Sequence, residues 1–490
     1  MLKKTKYEEF FECLVSNAKE NPDKVAIVSG NNKISYGKLL LLVGKIAEQI
    51  EKDYKENSII VVEANKNIES IATILGVCLS GKTFIPVSNL MSQERIEDII
   101  NNSKGIFIPN LKISNNLYDN LETFNFDMNK KVQPNNDNFY TIYTSGTTGK
   151  PKGVLMTYEG AFNTIDQMIS MLEIKSDDVF LNLAPLDFDL SIFDIFGSLK
   201  VGGKLVLVEK PQDIKSLIRI IDEEKVTIWN SVPTMLEMLT LYLSFNPIGS
   251  LQTLRLVLVS GDKTKIETAR SAKEKLKNSK IISLGGATEC GIWSTYFDFD
   301  LIDEKHEISF IPYGIALPKQ KIFILNENLE EVSHGEVGEL YISGDSLAKG
   351  YLNDKEKTDS TFITLPNFGH IRAYKTGDLM HSDHNGCLIF GGRTDRQVKI
   401  NGFRVELDGI ENKATKLLNC NTAVVMNKNR IILAIEDCNG KNVLSDLKSI
   451  FPDYMIPSEV VTIDNIPLTK NGKKDYKKIK DIISKDMIIN

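Results

Sequence analysis

The amino-acid sequence predicts an α/β protein, with a large N-terminal domain of layered α/β subdomains and a small α+β C-terminal domain. Apolar runs of strand length alternate with helix-like stretches through most of the chain, which is typical of parallel sheets covered by helices. A polar segment rich in glycine and arginine, residues 391–404, precedes a smaller unit with its own helices and a hairpin-like stretch. We therefore predict two domains, 1–394 and 395–490, and the smaller one is long enough for a core of its own.

The predicted elements follow from the lengths of the apolar runs. "SIIVVEA" (58–64) and "TFIPV" (83–87) are strand-like, and "SIATILGVCLSG" (70–81) between them has helix length and ends at a glycine. Further strand-like runs lie at 204–210, 226–232 and 255–261. In the small domain the sequence predicts a helix at 408–418, a hairpin at 422–436, a helix at 443–451 and a charged, solvated helix at 473–486.

Composition and charge argue against several classes of function. The chain has 490 residues, a net charge of −6 and a pI near 5.7, which argues against nucleic acid as the main partner. No apolar run reaches the ~18 residues of a membrane span, so no membrane partner is expected. The six cysteines lack CxxC spacing, so we expect small buried side chains, no disulfide framework and a location in the cytoplasm.

A glycine- and threonine-rich stretch, "YTSGTTGKPKGV" (143–154), follows the strand-like "FYTIY". Ligands of α/β proteins bind at the carboxyl ends of strands, where this loop is expected to lie. Its glycines allow consecutive N–H groups to turn toward one anion, and Ser145, Thr147 and Thr148 add hydroxyl donors. Because Lys150 and Lys152 add positive charge, the loop predicts a phosphate-binding site.

The loop resembles the signature of the acyl-adenylate-forming superfamily, which includes amino-acid adenylation domains of nonribosomal peptide synthesis, acyl-CoA ligases and firefly luciferase. Further motifs resemble those of the family and occur in its order: "ISYGKLL", "LSGKTFIPV", "FDLSIFDIFGSLKVGGKLVL", "GGATE", "GELYISGDSLAKGY", "YKTGDL", "GRTDRQVKINGFRVELDGIE", "FPDYMIPS" and "PLTKNGK". The resemblance covers essentially the whole chain. It implies an AMP-forming, amino-acid-adenylating ligase that uses ATP and Mg²⁺.

The resemblance implies a reaction in two halves. A carboxylate attacks the α-phosphate of ATP and releases pyrophosphate, and a thiol then displaces AMP from the acyl adenylate. Glu289 is expected to bind Mg²⁺, because this cation prefers oxygen ligands, and Asp378 is expected to accept both ribose hydroxyls. The implied nucleotide-binding residues are Thr144, Ser145, Gly146, Thr147, Thr148, Gly149, Lys152, Gly286, Ala287, Thr288, Asp378 and Arg393, and the implied catalytic residues are Lys473, Glu289, Thr148 and Arg393.

The resemblance selects Lys473 through the Gly472–Lys473 pair of "PLTKNGK", although Lys470 and Lys474 lie close by. In the family this lysine reaches from a mobile C-terminal domain to the substrate carboxylate, the α-phosphate and the ribose. Asp395 lies at the implied hinge, about which the family swings its small domain between the two half-reactions. The thiol of the second half-reaction would be the phosphopantetheine of a carrier protein.

Asp189 in "FDLSIF" decides the class of acid. In the amino-acid branch of the family an Asp at this place pairs with the substrate α-ammonium, and a buried carboxylate needs such a cationic partner. The alternative is that Asp189 or Asp187 caps the following helix. The implied substrate pocket contains Asp189, Leu190, Phe193, Asn230, Leu258, Ser260, Leu284, Ile292, Trp293 and Lys473.

This pocket is mostly apolar, and Phe193 and Trp293 occupy volume, so a small side chain is expected, with polar contacts from Ser260 and Asn230. The ordered set resembles the pattern for cysteine activation, with Phe193 where Tyr is more usual, and "GGATE" is similar to the same subgroup. L-Cysteine is therefore the expected substrate, ahead of alanine, serine and threonine. Selectivity is expected to be imperfect, because an apolar pocket separates a thiol from a hydroxyl or methyl by only ~1–3 kcal/mol.

Other functions stay open on the sequence alone. A D-alanine–carrier protein ligase also has the Asp, but "GGATE" and Trp293 argue against it, and Asp189 argues against a coenzyme A ligase. A nucleotide-binding scaffold without activity would not need the implied catalytic residues together. The chain ends soon after Lys473, so we expect a carrier protein that acts in trans, or a domain excised from a larger synthetase.

Overall fold

A computed structural model of the protein describes residues 4–55, 58–89, 91–109, 137–144, 151–246, 251–302, 308–400, 402–427, 430–436, 443–448, 451–469 and 474–489. The chain falls into two compact units. The first comprises Met1–Asn89, Ile100–Ile142 and Gly153–Thr394, and the second comprises Leu90–Ile99, Tyr143–Lys152 and Asp395–Asn490. The domain division expected from the sequence stays a prediction, and the second unit includes two short segments that it assigned to the large domain.

The described residues form the following strands, in chain order: Val25–Ser29 (β1), Asn32–Ser35 (β2), Ile59–Glu63 (β3), Thr83–Val87 (β4), Ile106–Ile108 (β5), Asn138–Thr144 (β6), Lys152–Thr157 (β7), Val179–Asn182 (β8), Lys204–Leu207 (β9), Ile228–Ser231 (β10), Leu256–Ser260 (β11), Lys280–Gly285 (β12), Thr295–Asp298 (β13), Ile315–Ala316 (β14), Gln320–Leu325 (β15), Gly338–Gly344 (β16), Gly350–Tyr351 (β17), Phe362–Leu365 (β18), Ile371–Ser382 (β19), Leu388–Arg393 (β20), Gln397–Ile400 (β21), Phe403–Glu406 (β22), Thr422–Asn427 (β23), Arg430–Glu436 (β24) and Glu459–Ile463 (β25).

The helices in the same part of the chain are Lys6–Glu20 (α1), Tyr36–Asp53 (α2), Ile68–Leu79 (α3), Gln93–Ser103 (α4), Tyr158–Met171 (α5), Asp189–Ile192 (α6), Ser198–Val201 (α7), Ile214–Glu224 (α8), Pro233–Phe245 (α9), Ile266–Lys275 (α10), Lys355–Thr361 (α11), Leu407–Leu418 (α12), Val443–Lys448 (α13) and Tyr476–Ile489 (α14). One π-helical turn, Phe193–Gly197, joins α6 to α7. Among these described helices, none combines the length and the apolar composition that crossing a bilayer requires.

Three sheets organise the first unit. A nine-stranded sheet has the order β14-β13-β12-β11-β10-β8-β9-β1-β2, and its central strands from β1 to β12 are parallel neighbours. A six-stranded sheet has the order β17-β7-β6-β4-β3-β5, and a five-stranded antiparallel sheet contains β15-β16-β19-β18 with β20 beside β19. Helices lie between successive parallel strands, so the layered α/β architecture predicted from the sequence is confirmed.

The nine-stranded sheet separates two apolar cores, because successive side chains of a strand point to opposite faces. Leu256 and Leu258 of β11 pack into one buried cluster with α1, α2, α3 and α5, whereas Val257 and Val259 pack into the other with α8, α9 and α10. The first of these faces carries the residues of the candidate substrate pocket.

The second unit has the α+β composition that the sequence predicts. β21 and β22 form an antiparallel hairpin, and β23-β24-β25 form a three-stranded sheet. Helices α12 and α13 pack on one face of that sheet, where Leu433 is buried, and α14 packs on the other, where Ile432 is buried. The unit therefore has a small core on each side of its sheet.

Some expectations from the sequence need correction. The predicted helix 70–81 ends earlier, at Leu79, and Gly81 follows it in the left-handed conformation with φ of 71°. Helix α14 is not simply solvated, because Ile479 and Ile483, four residues apart, are buried against the sheet. Among the residues that the structure describes, Cys13, Cys78, Cys290 and Cys387 are free, whereas Cys420 is disulfide-bonded, which the sequence did not predict.

Candidate active site

Asp189 is the first residue of α6, and Phe188 takes the N-cap position without a side-chain cap. The Asp189 carboxylate is buried and accepts a hydrogen bond of 2.7 Å at Oδ2 from the hydroxyl of Thr288. Asp187 accepts at Oδ2 from the Ser88 hydroxyl at 2.9 Å. The alternative reading of both acids as helix caps is therefore wrong, and Asp189 instead contacts the loop that contains "GGATE".

The ends of three adjacent strands carry the other polar and apolar residues of the expected pocket. Asn230 on β10 is the register partner of Leu258 on β11, and Ser260 is the partner of Leu284 on β12. Residues two apart on a strand share a face, so these four side chains line one side of the sheet. Leu258 and Leu284 belong to the same buried cluster as Leu190. The structure thus brings together residues that are far apart in sequence.

Two aromatic rings belong to the same buried cluster as the leucines of this pocket. The Phe193 and Trp293 ring centroids lie 4.9 Å apart with the planes tilted by 59°, and both side chains are buried. Ile292, beside Trp293, has a positive φ of 75°, and Gly291 before it has a φ of 71°, so a tight turn presents both side chains to the sheet. The structure brings the two predicted rings into contact, and their role in limiting the size of a substrate side chain stays a prediction.

The loop of Gly286, Ala287, Thr288 and Glu289 packs closely against this turn. A Cβ added to Gly286 would lie 2.7 Å from the Ile292 carbonyl oxygen and 2.8 Å from Cα of Trp293. Glycine is therefore required here by the packing of the chain itself. The expectation that Gly286 also lies against an adenine stays a prediction.

Glu289 is fully buried at the end of the same loop. The hydroxyl of Tyr351 donates to its Oε1 at 2.8 Å, and its main-chain oxygen accepts from Ala348 N–H at 2.9 Å. Among the residues that the structure describes, no group of three or more acids, histidines or cysteines could hold a metal ion. A single fixed carboxylate suits Mg²⁺, which takes one or two carboxylates and completes its shell with phosphate oxygens and water.

Asp378 and Arg393 are register partners on β19 and β20. Arg393 donates from Nη1 to Oδ1 of Asp378, and from Nη2 to the Thr376 carbonyl oxygen at 3.1 Å. Both side chains are about 85% buried, with exposed fractions of 16% and 15%. The structure therefore joins two predicted nucleotide-binding residues in one ion pair.

Tyr313 lies against the loop at 285–289 and close enough to Asp378 to feel its charge. A Cβ added to Gly285 would lie 2.6 Å from Cζ of Tyr313, so the ring lies directly against this glycine. Burial raises the pKa of the Tyr313 hydroxyl, and the nearby charge of Asp378 raises it further. Sequence reasoning missed Tyr313, because nothing in its local sequence marks a residue that contacts two motifs.

Lys152, the first residue of β7, donates from Nζ to Oε1 of Glu406 at 3.1 Å. Glu406 also accepts from Nε2 of Gln397 at 2.7 Å and is nearly fully buried. Burial raises the pKa of Glu406, and Lys152 opposes that rise. Because Lys152 has a carboxylate partner, its expected contact with phosphate stays a prediction that requires this ion pair to open.

The structure describes two further residues that the sequence predicted, Thr144 and Asp395. Thr144 is the last residue of β6, and Asp395 accepts at Oδ1 from Gln397 N–H at 3.1 Å, close to the hairpin β21-β22. The residues Ser145, Gly146, Thr147, Thr148, Gly149 and Lys473 lie outside the described residues, so their roles stay predictions.

A buried polar network behind the pocket was also missed. It contains Lys66, Asn182 and Asp194, and it reaches Asn230. Asp194 lies inside the motif "FDLSIFDIF", so asking what a buried acid pairs with could have found it. Lys66 and Asn182 carry no local signal, because only the tertiary fold brings them to Asp194.

The chain matches one protein-family model and is similar to several known proteins. The family model for AMP-binding enzymes matches residues 14–352. The chain is 35% identical over 484 residues to bacitracin synthase 1 from Bacillus licheniformis, a match that spans 96% of this chain and only 9% of that protein. It is 31% identical over 506 residues to D-alanine–D-alanyl carrier protein ligase from Bacillus licheniformis, a match that covers 97% of this chain and 100% of that protein.

A solved structure is similar over nearly the whole chain. The adenylation domain AlmE from Vibrio cholerae, in complex with glycyl-adenosine-5'-phosphate, superimposes with a TM-score of 0.84 at 24% identity, covering 97% of this chain and 98% of that chain. This likeness shows that the two chains share a fold.

Proposed function

The chain belongs to the AMP-binding enzyme family and is an AMP-forming ligase, and from that premise we propose that it activates an amino acid as the aminoacyl adenylate. The activated acyl group would then pass to the phosphopantetheine thiol of a carrier protein. The observation that carries this proposal is the buried carboxylate of Asp189, hydrogen-bonded to Thr288 at one end of the pocket.

A buried carboxylate is stabilised by hydrogen-bond donors and by cations, and the Thr288 hydroxyl donates to Asp189. An α-ammonium bound beside Asp189 would add a favourable positive charge at this carboxylate. It would also place the substrate carboxylate toward the loop at 285–289, where nucleotide-binding residues and the Mg²⁺ ligand Glu289 are expected. This pairing favours an amino acid over an aryl or fatty acid, which has no cation to offer.

The adenylation step brings a carboxylate against the α-phosphate, so like charges must be stabilised by fixed donors and cations. We propose that Asp378 accepts the ribose hydroxyls while Arg393 holds its carboxylate in place. Thr148 and its loop would bind the leaving pyrophosphate, and Lys473 would contact the reacting carboxylate and phosphate. Mg²⁺ bound by Glu289 would neutralise phosphate charge during the attack.

We propose L-cysteine as the substrate. The close pair of Phe193 and Trp293 limits the length of the side chain, and Asn230 and Ser260 lie on the face that it would contact. The small side chains of alanine, serine and threonine would also fit, but we rank these amino acids below L-cysteine as substrates. D-Alanine is the second candidate, because a D-alanine–D-alanyl carrier protein ligase matches 97% of this chain over 100% of the ligase's own length.

The second half-reaction requires a carrier thiol, and we propose that Asp395 lies at a hinge that lets the small domain move between the two halves. The names of the relatives point to carrier-linked chemistry, since one of them is a D-alanyl carrier protein ligase. The carrier would be a separate protein or part of a larger synthetase.

The experiment is amino-acid-dependent ATP–pyrophosphate exchange with each of the twenty L-amino acids and with D-alanine. We expect the strongest exchange with L-cysteine, and loss of most exchange in Asp189→Asn. The matched control is Asp178→Asn, because Asp178 is also buried but is paired with Arg255 instead. Strong exchange with D-alanine and none with L-cysteine would overturn the substrate, and exchange with aryl or fatty acids alone would overturn amino-acid activation.

A further inference from the structure

A chain of hydrogen bonds runs behind the candidate pocket. Lys66 donates from Nζ to Oδ1 of Asn182 at 2.6 Å and to the Asn182 main-chain oxygen at 2.9 Å. Asn182 donates from Nδ2 to Oδ2 of Asp194 at 2.9 Å, and Asn230 donates from Nδ2 to Oδ1 of the same carboxylate at 2.9 Å. Asn182, Asp194 and Asn230 are all fully buried. The amide orientations of Asn182 and Asn230 follow from their neighbours, because the Lys66 ammonium only donates and the Asp194 carboxylate only accepts.

The network determines which end of the Asn230 amide points away from Asp194. Its NH₂ group is directed to Asp194, with a longer contact of 3.4 Å to the Leu190 carbonyl oxygen. When Asp194 is ionised, above about pH 7, a flipped amide would place Oδ1 against a carboxylate oxygen, which is repulsive. Oδ1 of Asn230 therefore points away from Asp194, and it is buried with no hydrogen-bond partner among the residues that the structure describes.

Within the described part of the chain, two other pocket atoms are also buried without a hydrogen-bond partner, Oγ of Ser260 and Nε1 of Trp293. Buried polar groups are nearly always hydrogen-bonded in folded proteins, and an unpaired one destabilises the fold. The three atoms differ in chemistry: Asn230 Oδ1 only accepts, Trp293 Nε1 only donates, and Ser260 Oγ does both. A small group that both donates and accepts fits them, and a methyl group does not.

We propose that Asp194, held by Asn182 and Lys66, is a positioning residue that presents Oδ1 of Asn230 as the acceptor for a thiol or hydroxyl on the substrate side chain. This inference rests on the proposed amino-acid activation and narrows its substrate class to short side chains with a donor. Asp194 reaches the substrate only through Asn230. It therefore affects the discrimination between side chains and leaves the chemistry of the carboxylate unchanged.

The test uses L-2-aminobutyrate, which has the shape of cysteine with a methyl group in place of the thiol. The measured quantity is the ratio of kcat/KM in ATP–pyrophosphate exchange for L-cysteine over L-2-aminobutyrate, with L-serine over L-2-aminobutyrate as a second ratio. We expect at least one of these ratios to exceed ten in the wild-type protein. In Asp194→Asn, whose amide can also donate to Oδ1 of Asn230, that ratio should fall roughly tenfold.

Asp178→Asn is the matched control, because it changes another buried acid that hydrogen-bonds Arg255 and Thr227 outside the pocket. It should leave the ratio unchanged even where it lowers stability. Equal loss of exchange with every amino acid in Asp194→Asn would show a purely structural role and overturn the inference. If Asp194→Asn does not fold, Asn230→Leu tests the same acceptor directly and should equalise the two substrates.

The two levels of proposal fail in different ways. If no amino acid supports exchange in the wild-type protein, the proposed function itself is wrong. If exchange is strong but L-2-aminobutyrate, glycine or D-alanine is used as well as both L-cysteine and L-serine, amino-acid activation stands and the donor requirement is overturned.

Discussion

The hydroxyl of Tyr351 donates a hydrogen bond of 2.8 Å to Oε1 of Glu289. Tyr351 ends β17, which pairs with β7, and Glu289 lies in the short 3₁₀ turn after β12, so the bond joins elements of two sheets. Partners of this kind orient a ligating carboxylate and commonly change metal affinity by 10–100-fold when removed. The same relationship gives the first prediction.

Tyr351→Phe should raise the Mg²⁺ concentration needed for half-maximal ATP–pyrophosphate exchange by roughly tenfold, because Glu289 loses the donor that orients it. The measurement is a Mg²⁺ titration of exchange at saturating ATP. Tyr341→Phe is the matched control, since Tyr341 donates to Glu339 at 3.4 Å away from the loop at 285–289. Identical Mg²⁺ curves for Tyr351→Phe and wild type would remove Tyr351 from this role.

Thr288→Val should raise the KM for the amino acid by roughly five- to tenfold, because the variant keeps the shape of the side chain but removes the donor to Asp189. Initial-rate exchange kinetics with the amino acid varied will measure this. Thr227→Val provides the comparison, because Thr227 donates to another buried acid, Asp178, at 2.7 Å. A KM that changes equally in both variants would mean that the Thr288 contact supports the fold alone.

The fold could be predicted from the sequence because apolar runs of strand length alternate with helix-like stretches. The family resemblance selected Asn230, Ser260 and Leu284, and the strand register places them on one face of the sheet, whereas their contacts with a substrate stay a prediction. The network behind them could not be predicted, since Lys66 and Asn182 meet Asp194 only after two distant strands and a helix pack together. A motif identifies residues that touch a ligand more readily than residues that hold those residues in place.

The same limit explains the error at α14. Its many lysines and acids suggested a solvated helix, but charge content says little about the one face that packs. Ile479 and Ile483 fall on that face and are fully buried against β24 residues of the second unit. Spacing at i and i+4 was the available signal, and it outweighs composition for an amphipathic helix.

Asp194 also predicts a dependence of stability on pH. Burial raises the pKa of its carboxyl to about 7, although Asn230, Asn182 and Lys66 all act to lower it. Between about pH 4 and pH 7 the folded protein therefore binds a proton that the unfolded chain has released, so its stability falls as pH rises through this range. Asp194→Asn lacks the titration and mimics the protonated acid, so the variant should become more stable relative to wild type as pH rises.

The measurement is the melting temperature of wild type and Asp194→Asn at intervals between about pH 5 and pH 8. The difference in melting temperature should grow in favour of the variant and then level off above about pH 7. Burial lowers the pKa of Lys66 to about 7, and Asp194 and Asp187 oppose that shift. The Asn variant lacks the Asp194 charge, so the pKa of Lys66 falls further there, which also favours the variant as pH rises. Parallel melting curves would show that Asp194 does not titrate there.

Substitutions of the neighbouring lysines Lys473 and Lys474 should have different effects on activity and stability. Lys474 donates from Nζ to Oε1 of Glu411 at 2.6 Å and to the Thr422 main-chain oxygen at 2.8 Å, so its role is to hold the second unit together. Lys474→Ala should therefore lower the melting temperature and keep pyrophosphate exchange.

Lys473→Ala should abolish exchange while sparing thioester formation from supplied aminoacyl adenylate, because only the first half-reaction needs charge at the reacting phosphate. Equal loss of both half-reactions in Lys473→Ala would contradict a hinge that presents this lysine for one half alone.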